Sequence, residues 1–186
     1  MKKLVSLLLT AGLSVSLLAG CGSQGSSNND SANAEAGTET AGASVYRTLD
    51  EIKDSGKITI GVFSDKNPFG YVDENGDYQG YDVYFADRLA KDLGVDVEYV
   101  STEPASRVEY LKTGKVDLIL ANFTVTEERA ESVDFCLPYM KVALGVVSPD
   151  DALITSADEL NGKTLIVAKG TTAEAYFSEN YPEVNL

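Results

Sequence analysis

The sequence predicts an α/β fold built on a mostly parallel sheet. Three observations carry that expectation. Strand-like runs ("KITIGVF", "VDVEYV", "VDLILA") alternate with stretches of helical period, the connections between them are short, and Gly or Pro marks most of the boundaries. Alternation of this kind puts successive strands side by side, with helices on both faces of the sheet.

The elements follow in order. Thr48 is placed to cap a short helix, "LDEIKDS", closed by Gly56. In "KITIGVF" the residues Ile58, Ile60 and Val62 alternate as a half-buried strand would. "SDKNPFGYVDENGDYQGYD" reads as loop and turn, with Asn75-Gly76 between the short hairpin arms Tyr71-Val72 and Tyr78-Gln79. Asp82 is expected to cap the next helix, "VYFADRLAKDL", whose Val83, Ala86, Leu89, Ala90 and Leu93 share one face before Gly94 ends it. After the strand "VDVEYV" comes the helix "PASRVEYLKTG", with Pro104 near its start and Gly114 past its end, then a third strand, "VDLILA". "YMKVALGVVS" is expected to be a longer apolar strand leaving this unit. "SADEL", "KTLIVA" and "TTAEAYFSENY" then begin a second one, as helix, strand and helix.

The opening "MKKLVSLLLTAGLSVSLLAGC" has two lysines, an uncharged apolar run and small residues, the pattern of a secretory signal over residues 1–20. Leu18-Ala19-Gly20-Cys21 resembles the bacterial lipobox, which implies acylation of Cys21 and anchoring to a membrane. Residues 21–44 are rich in Gly, Ser, Asn and Ala, cannot bury enough surface to fold, and read as a lipidated N-terminus and flexible linker. The chain has 186 residues, no histidine, and a net charge of −14. Histidine-based catalysis and histidine metal ligation are thereby excluded. So acidic a chain is a poor partner for nucleic acid. Of the two cysteines, Cys136 has no partner if Cys21 is acylated, and it reads as a small buried hydrophobe.

The stretch "DLILANFTVTEERAESVDF" runs from a buried strand directly into hydrogen-bonding side chains and an arginine. In open parallel sheets ligands bind outside the carboxyl ends of the strands. That cluster lies there, with the loop after Val62 and "KGTT" after Val167. By residue type, Arg129 suits either of two roles. It can be a solvated helix residue beside Glu127 and Glu128, or a planar fork for a carboxylate.

"GYDVYFADRLAKDLG", "ANFTVTEERAESVDF", "PYMKVALGV" and "GKTLIVAKGTT", in this order behind a lipoprotein-like signal, resemble the extracellular solute-binding proteins of family 3, which serve ABC importers of polar amino acids. The resemblance covers nearly all of Thr48 to Leu186. It implies a two-lobed clamp of the type II periplasmic-binding-protein kind, with lobe 1 over 45–147 nearly complete and the start of lobe 2 over 148–186 truncated. Residues beyond about Pro149 are accordingly expected to pack poorly, exposing Leu165 and Val167.

The resemblance also assigns roles. Arg129 and the hydroxyl of Thr124 would take the ligand carboxylate, while carbonyls around Ala121 and Asn122 receive ammonium protons. Thr171 and Thr172, after Gly170, would present N–H groups from the other lobe, with Thr172 the better match; capping by a threonine is compatible with that role. Lys66 stands where many members have a stacking aromatic, so Phe63 is the candidate wall. Arg107 either meets the ligand side chain or is a surface arginine near Glu103 and Glu109. Tyr84 replaces an acid of the family pattern without expected consequence.

The function implied is a lipid-anchored, extracytoplasmic receptor that captures a polar L-amino acid for an ABC permease. It would be a monomer, without cofactor or metal. "GVFSDKNPFGYVDE" and "VDFCLPYMKVALG" look most like the cysteine and cystine subgroup, with glutamate, aspartate and glutamine open. A dehydratase-like enzyme on the same fold is a second class, though no carboxylate is placed at a strand end to serve as acid or base. An adhesin or ligand sensor is a third.

Overall fold

The computed structural model describes residues 46–186, so the signal, Cys21 and the linker lie outside the described residues. Helix α1, Leu49–Ser55, begins at Thr48 with a reciprocal capping box, in which the Thr48 side chain and Glu51 each satisfy the other's backbone N–H. Strand β1, Lys57–Val62, is the centre of a parallel three-stranded sheet in the order β5-β1-β6, where β5 is Asp96–Ser101 and β6 is Leu118–Ile119. Ile60 is the pivot of the register, opposite Tyr99 on one side and Leu118 on the other.

The alternation in β1 decides the core. Ile58, Ile60 and Val62 face α1 and α2 (Tyr81–Leu93), packing with Ile52, Val83, Ala86 and Ala90. Ile60 and Val62 are completely buried, each worth about 1.5–3 kcal/mol relative to exposure. Helix α3, Arg107–Lys112, covers the opposite face, where Phe63, Val116, Ile119 and Ala121 pack with Tyr110 and Leu111. Helices on both faces and a parallel sheet are as expected from the sequence.

A second sheet, antiparallel, joins β2 (Asp65–Lys66), β3 (Gly70–Val72) and β4 (Tyr78–Gln79). The hairpin arms stand where the sequence put them, and Asp73 closes their turn by accepting from the N–H groups of Asn75 and Asp77. Strand β2 falls within the stretch whose composition reads as loop.

Five local expectations need correction. Asp82 does not cap α2; Gly80 does, because its φ of +121° and its backbone approach to Phe69 leave no room for a Cβ, which would lie 2.4 Å from the Phe69 oxygen. Asp82 turns inward instead. The helix "PASRVEYLKTG" begins as a 3-10 turn, Pro104–Ser106, before α3 proper. "YMKVALGVVS" and "KTLIVA" carry no ladder. The first residues of the former, Tyr139 to Val142, line with β6 a groove of about 650 Å³ that also includes Phe135. The latter makes one isolated bridge, Thr164 to Asn185. Cys136 is exposed, not buried.

The C-terminal part has a small core of its own. Leu160, from the 3-10 turn Ala157–Leu160, packs with Phe177 of α5 (Thr172–Asn180), Val184 and the partly buried Leu165. Leu153, Ile166, Tyr176 and Leu186 are exposed here, Ile166 the most at 92%, while Leu165 and Val167, the two residues expected to be exposed, are half-buried. No helix among the described residues is long and apolar enough to cross a membrane.

Candidate functional site

The turn at Gly170 lies against Pro104 and Ala105, a few residues beyond the carboxyl end of β5, and its carbonyl is reached by Arg107 and Arg129. After β6 the chain passes through Ala121, which is wholly buried, and bends at Asn122 with φ +43°. Phe123 and Thr124 follow, and Thr126 caps the single-turn helix α4, Glu127–Ala130, by accepting from the Arg129 N–H. The cap fixes where Arg129 leaves the backbone, and the bend fixes what its side chain meets.

Arg129 donates from Nη1 to the Thr124 carbonyl at 2.7 Å and from Nη2 to the Gly170 carbonyl at 3.0 Å. Arg107 arrives from the start of α3 and shares that acceptor, with Nη2 3.1 Å from the Gly170 oxygen. Its Nε donates to Pro104, and its Nη1 reaches the carbonyls of both Ala121 and Asn122 at 3.0 and 3.1 Å. Arg107 is 3% exposed, so the surface reading beside Glu103 and Glu109 does not hold. The carbonyls expected to receive ammonium protons accept from this guanidinium.

Among the described residues, every hydrogen bond from either guanidinium side chain ends on a neutral backbone carbonyl. Burial, followed by the neighbouring Arg129, lowers the Arg107 pKa to about 10. Burial likewise lowers that of Arg129, against the pull of Glu128. Two guanidiniums held together in a partly dry site, their hydrogen bonds spent on neutral carbonyls, favour an incoming anion.

The aromatic component differs from expectation. Phe63 is buried at 4% exposure, beneath Arg107 (5.7 Å to the ring centre) and beside Lys66 (5.9 Å). The ring against which both arginines lie is Phe123, 4.4 Å from Arg107 and 4.9 Å from Arg129. Phe123 has no place in the sequence expectation, and its signal there is that it is the one aromatic inside "ANFTVT".

From the other side, Thr171 caps α5, accepting from the Glu174 N–H and donating to the Ala168 carbonyl. Gly170 N–H donates to the Glu174 carboxylate at 2.6 Å. Thr172 is the first helical residue, half-buried. Gly170 itself has φ +76°, and a Cβ there would sit 2.5 Å from the Ala105 Cα. The turn therefore rests directly on the 3-10 turn that leads into α3. The structure thus brings together Arg107, Ala121, Asn122, Thr124, Arg129 and the Gly170–Thr172 turn, with Phe63 behind them. Among the described residues no group of three or more Cys, Asp or Glu is arranged to hold a metal.

Comparison with known proteins places the chain as a whole. The chain is similar to the solved receptor for L-cysteine of Neisseria gonorrhoeae, at 62% identity and a TM-score of 0.73 over 75% of this chain and 58% of that one. It is 38% identical to the ancestral amino acid-binding protein AncCDT-1, a precursor of cyclohexadienyl dehydratase, with a TM-score of 0.69 over 75% of this chain and 63% of that one. The glutamine-binding protein of Geobacillus stearothermophilus is 35% identical over 98% of this chain and 70% of its own length. The chain thus spans little more than half of the solved cysteine receptor. The fold is the α/β fold of type II periplasmic binding proteins. The sequence model of the bacterial extracellular solute-binding proteins, family 3, matches residues 58–181, and the chain belongs to that family.

Proposed function

We propose that this protein is a lipid-anchored receptor that captures a free polar L-amino acid outside the cytoplasm and delivers it to an ABC importer. The observation that carries the proposal is the convergence of Arg107 and Arg129 on one neutral oxygen, that of Gly170. An α-carboxylate in place of that carbonyl would offer two oxygens to two forks. Thr124 and the turn at Thr171 and Thr172 stand beside that position. Membership of the family and the amino acid-binding names of the relatives support the same reading.

The ligand favoured is cysteine or cystine, supported by the 62% identity to a cysteine receptor. A glutamine, glutamate or aspartate binder is the alternative, which the glutamine-binding relative favours. The likeness to a dehydratase precursor raises the enzyme reading. Against it, the buried carboxylate near the site, Asp82, is held by two donors behind the turn at Asn122. Acylation of Cys21, the division into lobes at 45–147 and 148–186, and the permease partner belong to the same proposal.

A thermal-shift screen of the twenty amino acids and cystine tests it. Stabilisation confined to a few polar amino acids, cysteine or cystine foremost, is the expected result. No shift with any of them, or turnover of a bound compound, would remove the receptor reading.

A further inference from the structure

Asp82 is wholly buried at the second position of α2, and it serves two distant segments. One carboxylate oxygen accepts from the backbone N–H of Asn122 at 2.9 Å; the other accepts from the hydroxyl of Tyr139 at 2.6 Å. Asn122 is the only non-glycine with positive φ among the described residues. A left-handed conformation is unfavourable for an L-residue, by roughly 1–2 kcal/mol in general and less for asparagine. The bend therefore needs something to hold it, and the Asp82 carboxylate is what the Asn122 N–H meets.

The bend matters because of what leaves it. It turns the carbonyls of Ala121 and Asn122 toward Nη1 of Arg107. It also sets the course of Phe123, whose ring lies against both arginines, and of Thr124, whose carbonyl takes Nη1 of Arg129. We propose that Asp82 is a positioning residue for the ligand site, fixing the bend at Asn122 and through it the aim of both guanidiniums. Among the described residues, the hydrogen bonds to Asp82 come from Asn122 and Tyr139 and not from either arginine. The ligand-related part of this inference rests on the reading of the arginine pair as an amino acid site.

Two features suit Asp82 to the task. It lies in the first turn of a thirteen-residue helix, where backbone N–H groups favour negative charge. The Tyr139 ring is packed against Phe85, 4.9 Å between centres, and stacked on Tyr81 at 6.1 Å, so its hydroxyl is delivered rather than free. Burial raises the Tyr139 pKa, as does the bond to Asp82, which keeps the hydroxyl a donor.

The test uses the full chain and three variants, Asp82→Ala, Asp82→Asn and Tyr139→Phe. An asparagine oxygen can accept from the Asn122 N–H while its NH₂ donates to the Tyr139 oxygen, so Asp82→Asn should preserve the bend. Asp82→Ala leaves the Asn122 N–H without its acceptor. Amide and arginine Nε–H NMR signals without ligand form the first arm. Asp82→Ala is expected to move Asn122, Phe123 and both arginine signals; Asp82→Asn should move Asn122 while leaving the arginines close to wild type. Tyr139→Phe should leave Asn122 nearly unmoved. Titration with L-cysteine, well below each variant's melting temperature, forms the second. Leaving one buried donor unsatisfied corresponds to a loss of about tenfold or more in Asp82→Ala, restored to within about threefold in Asp82→Asn. Arginine signals unmoved in a folded Asp82→Ala, or cysteine affinity unchanged there, would overturn the proposal. Should Asp82→Ala not fold, arginine signals displaced in Asp82→Asn as far as in a chemically unfolded sample would overturn it equally, and their retention would support it. A wild type that does not bind cysteine counts against the favoured ligand, while the first arm still decides the role of Asp82.

Discussion

Arg107 shows how far a side chain's chemistry outruns its residue type. In the sequence it stands among glutamates, and an arginine in such company is usually solvated. In the structure it is 3% exposed and ties together four carbonyls, those of Pro104, Ala121, Asn122 and Gly170. Hydrogen bonds to a charged group are worth more than neutral ones, so Arg107→Ala should lower unfolding stability by roughly 2–4 kcal/mol. Urea denaturation would read this directly, and a loss under about 0.5 kcal/mol would return the residue to an ordinary surface role. Asp82 supplies the second prediction at this scale. Burial raises its pKa, while the bonds from Tyr139 and Asn122 oppose the rise. A carboxyl whose folded pKa is raised contributes stability below its unfolded value, and that contribution is lost as pH rises through the folded value. Asp82→Asn carries no charge at any pH. It should therefore be at least as stable as wild type at pH 7, with the difference shrinking toward about pH 3, below the ordinary carboxylate range. Denaturation curves at the two pH values check this; a wild type that gains on the variant as pH rises would show that ionised Asp82 is stabilising.

The elements divide into those whose cause is local and those whose cause is a partner. Helix α1 was legible because Thr48 and Gly56 write its start and stop within nine residues. Strand β1 was legible because Ile58, Ile60 and Val62 alternate, and α2 because Val83, Ala86 and Ala90 fall on one face. "YMKVALGVVS" and "KTLIVA" carry strand composition as clearly, yet neither has a ladder. A strand is a relation between two segments, and apolar composition states only that one of them is available. The site was legible in the same divided way. The polar cluster after β6 pointed to Arg129 and to the hydroxyl of Thr124, of which the structure engages the backbone carbonyl, while the contacts of Arg107, Phe123 and Asp82 join residues far apart in sequence, which no local pattern reports. The Gly170 turn is an element-scale contact of this second kind, and it is testable. Gly170→Ala meets both a positive φ, costing roughly 1–2 kcal/mol, and the backbone of Ala105. The variant should melt lower, and the arginine Nε–H signals of Arg107 and Arg129 should move as their shared acceptor withdraws. Arginine signals identical to wild type would mean that the turn does not hold the pair in solution.

At the scale of the whole molecule, a chain of net charge −14 gathers two arginines in one partly dry cleft and leaves them facing neutral oxygens. Acidic surface elsewhere does nothing to satisfy them, because exposed charges beyond a Debye length of about 8 Å are largely screened. Helices pack on both faces of the sheet, and the carbonyl of the Gly170 turn meets both arginines. The most direct test of amino acid capture at this cleft is calorimetric titration of L-cysteine into the wild-type chain and into Arg129→Ala. Arg129 makes two hydrogen bonds to carbonyls and lies outside the core, so its loss should leave the fold in place. Removing one partner of a desolvated charge pair costs on the order of 2–5 kcal/mol of binding. Saturable heat with the wild type and none with the folded variant is the expected result. Equal affinity in the two would place the amino acid somewhere other than between Arg107, Arg129 and the Gly170 turn.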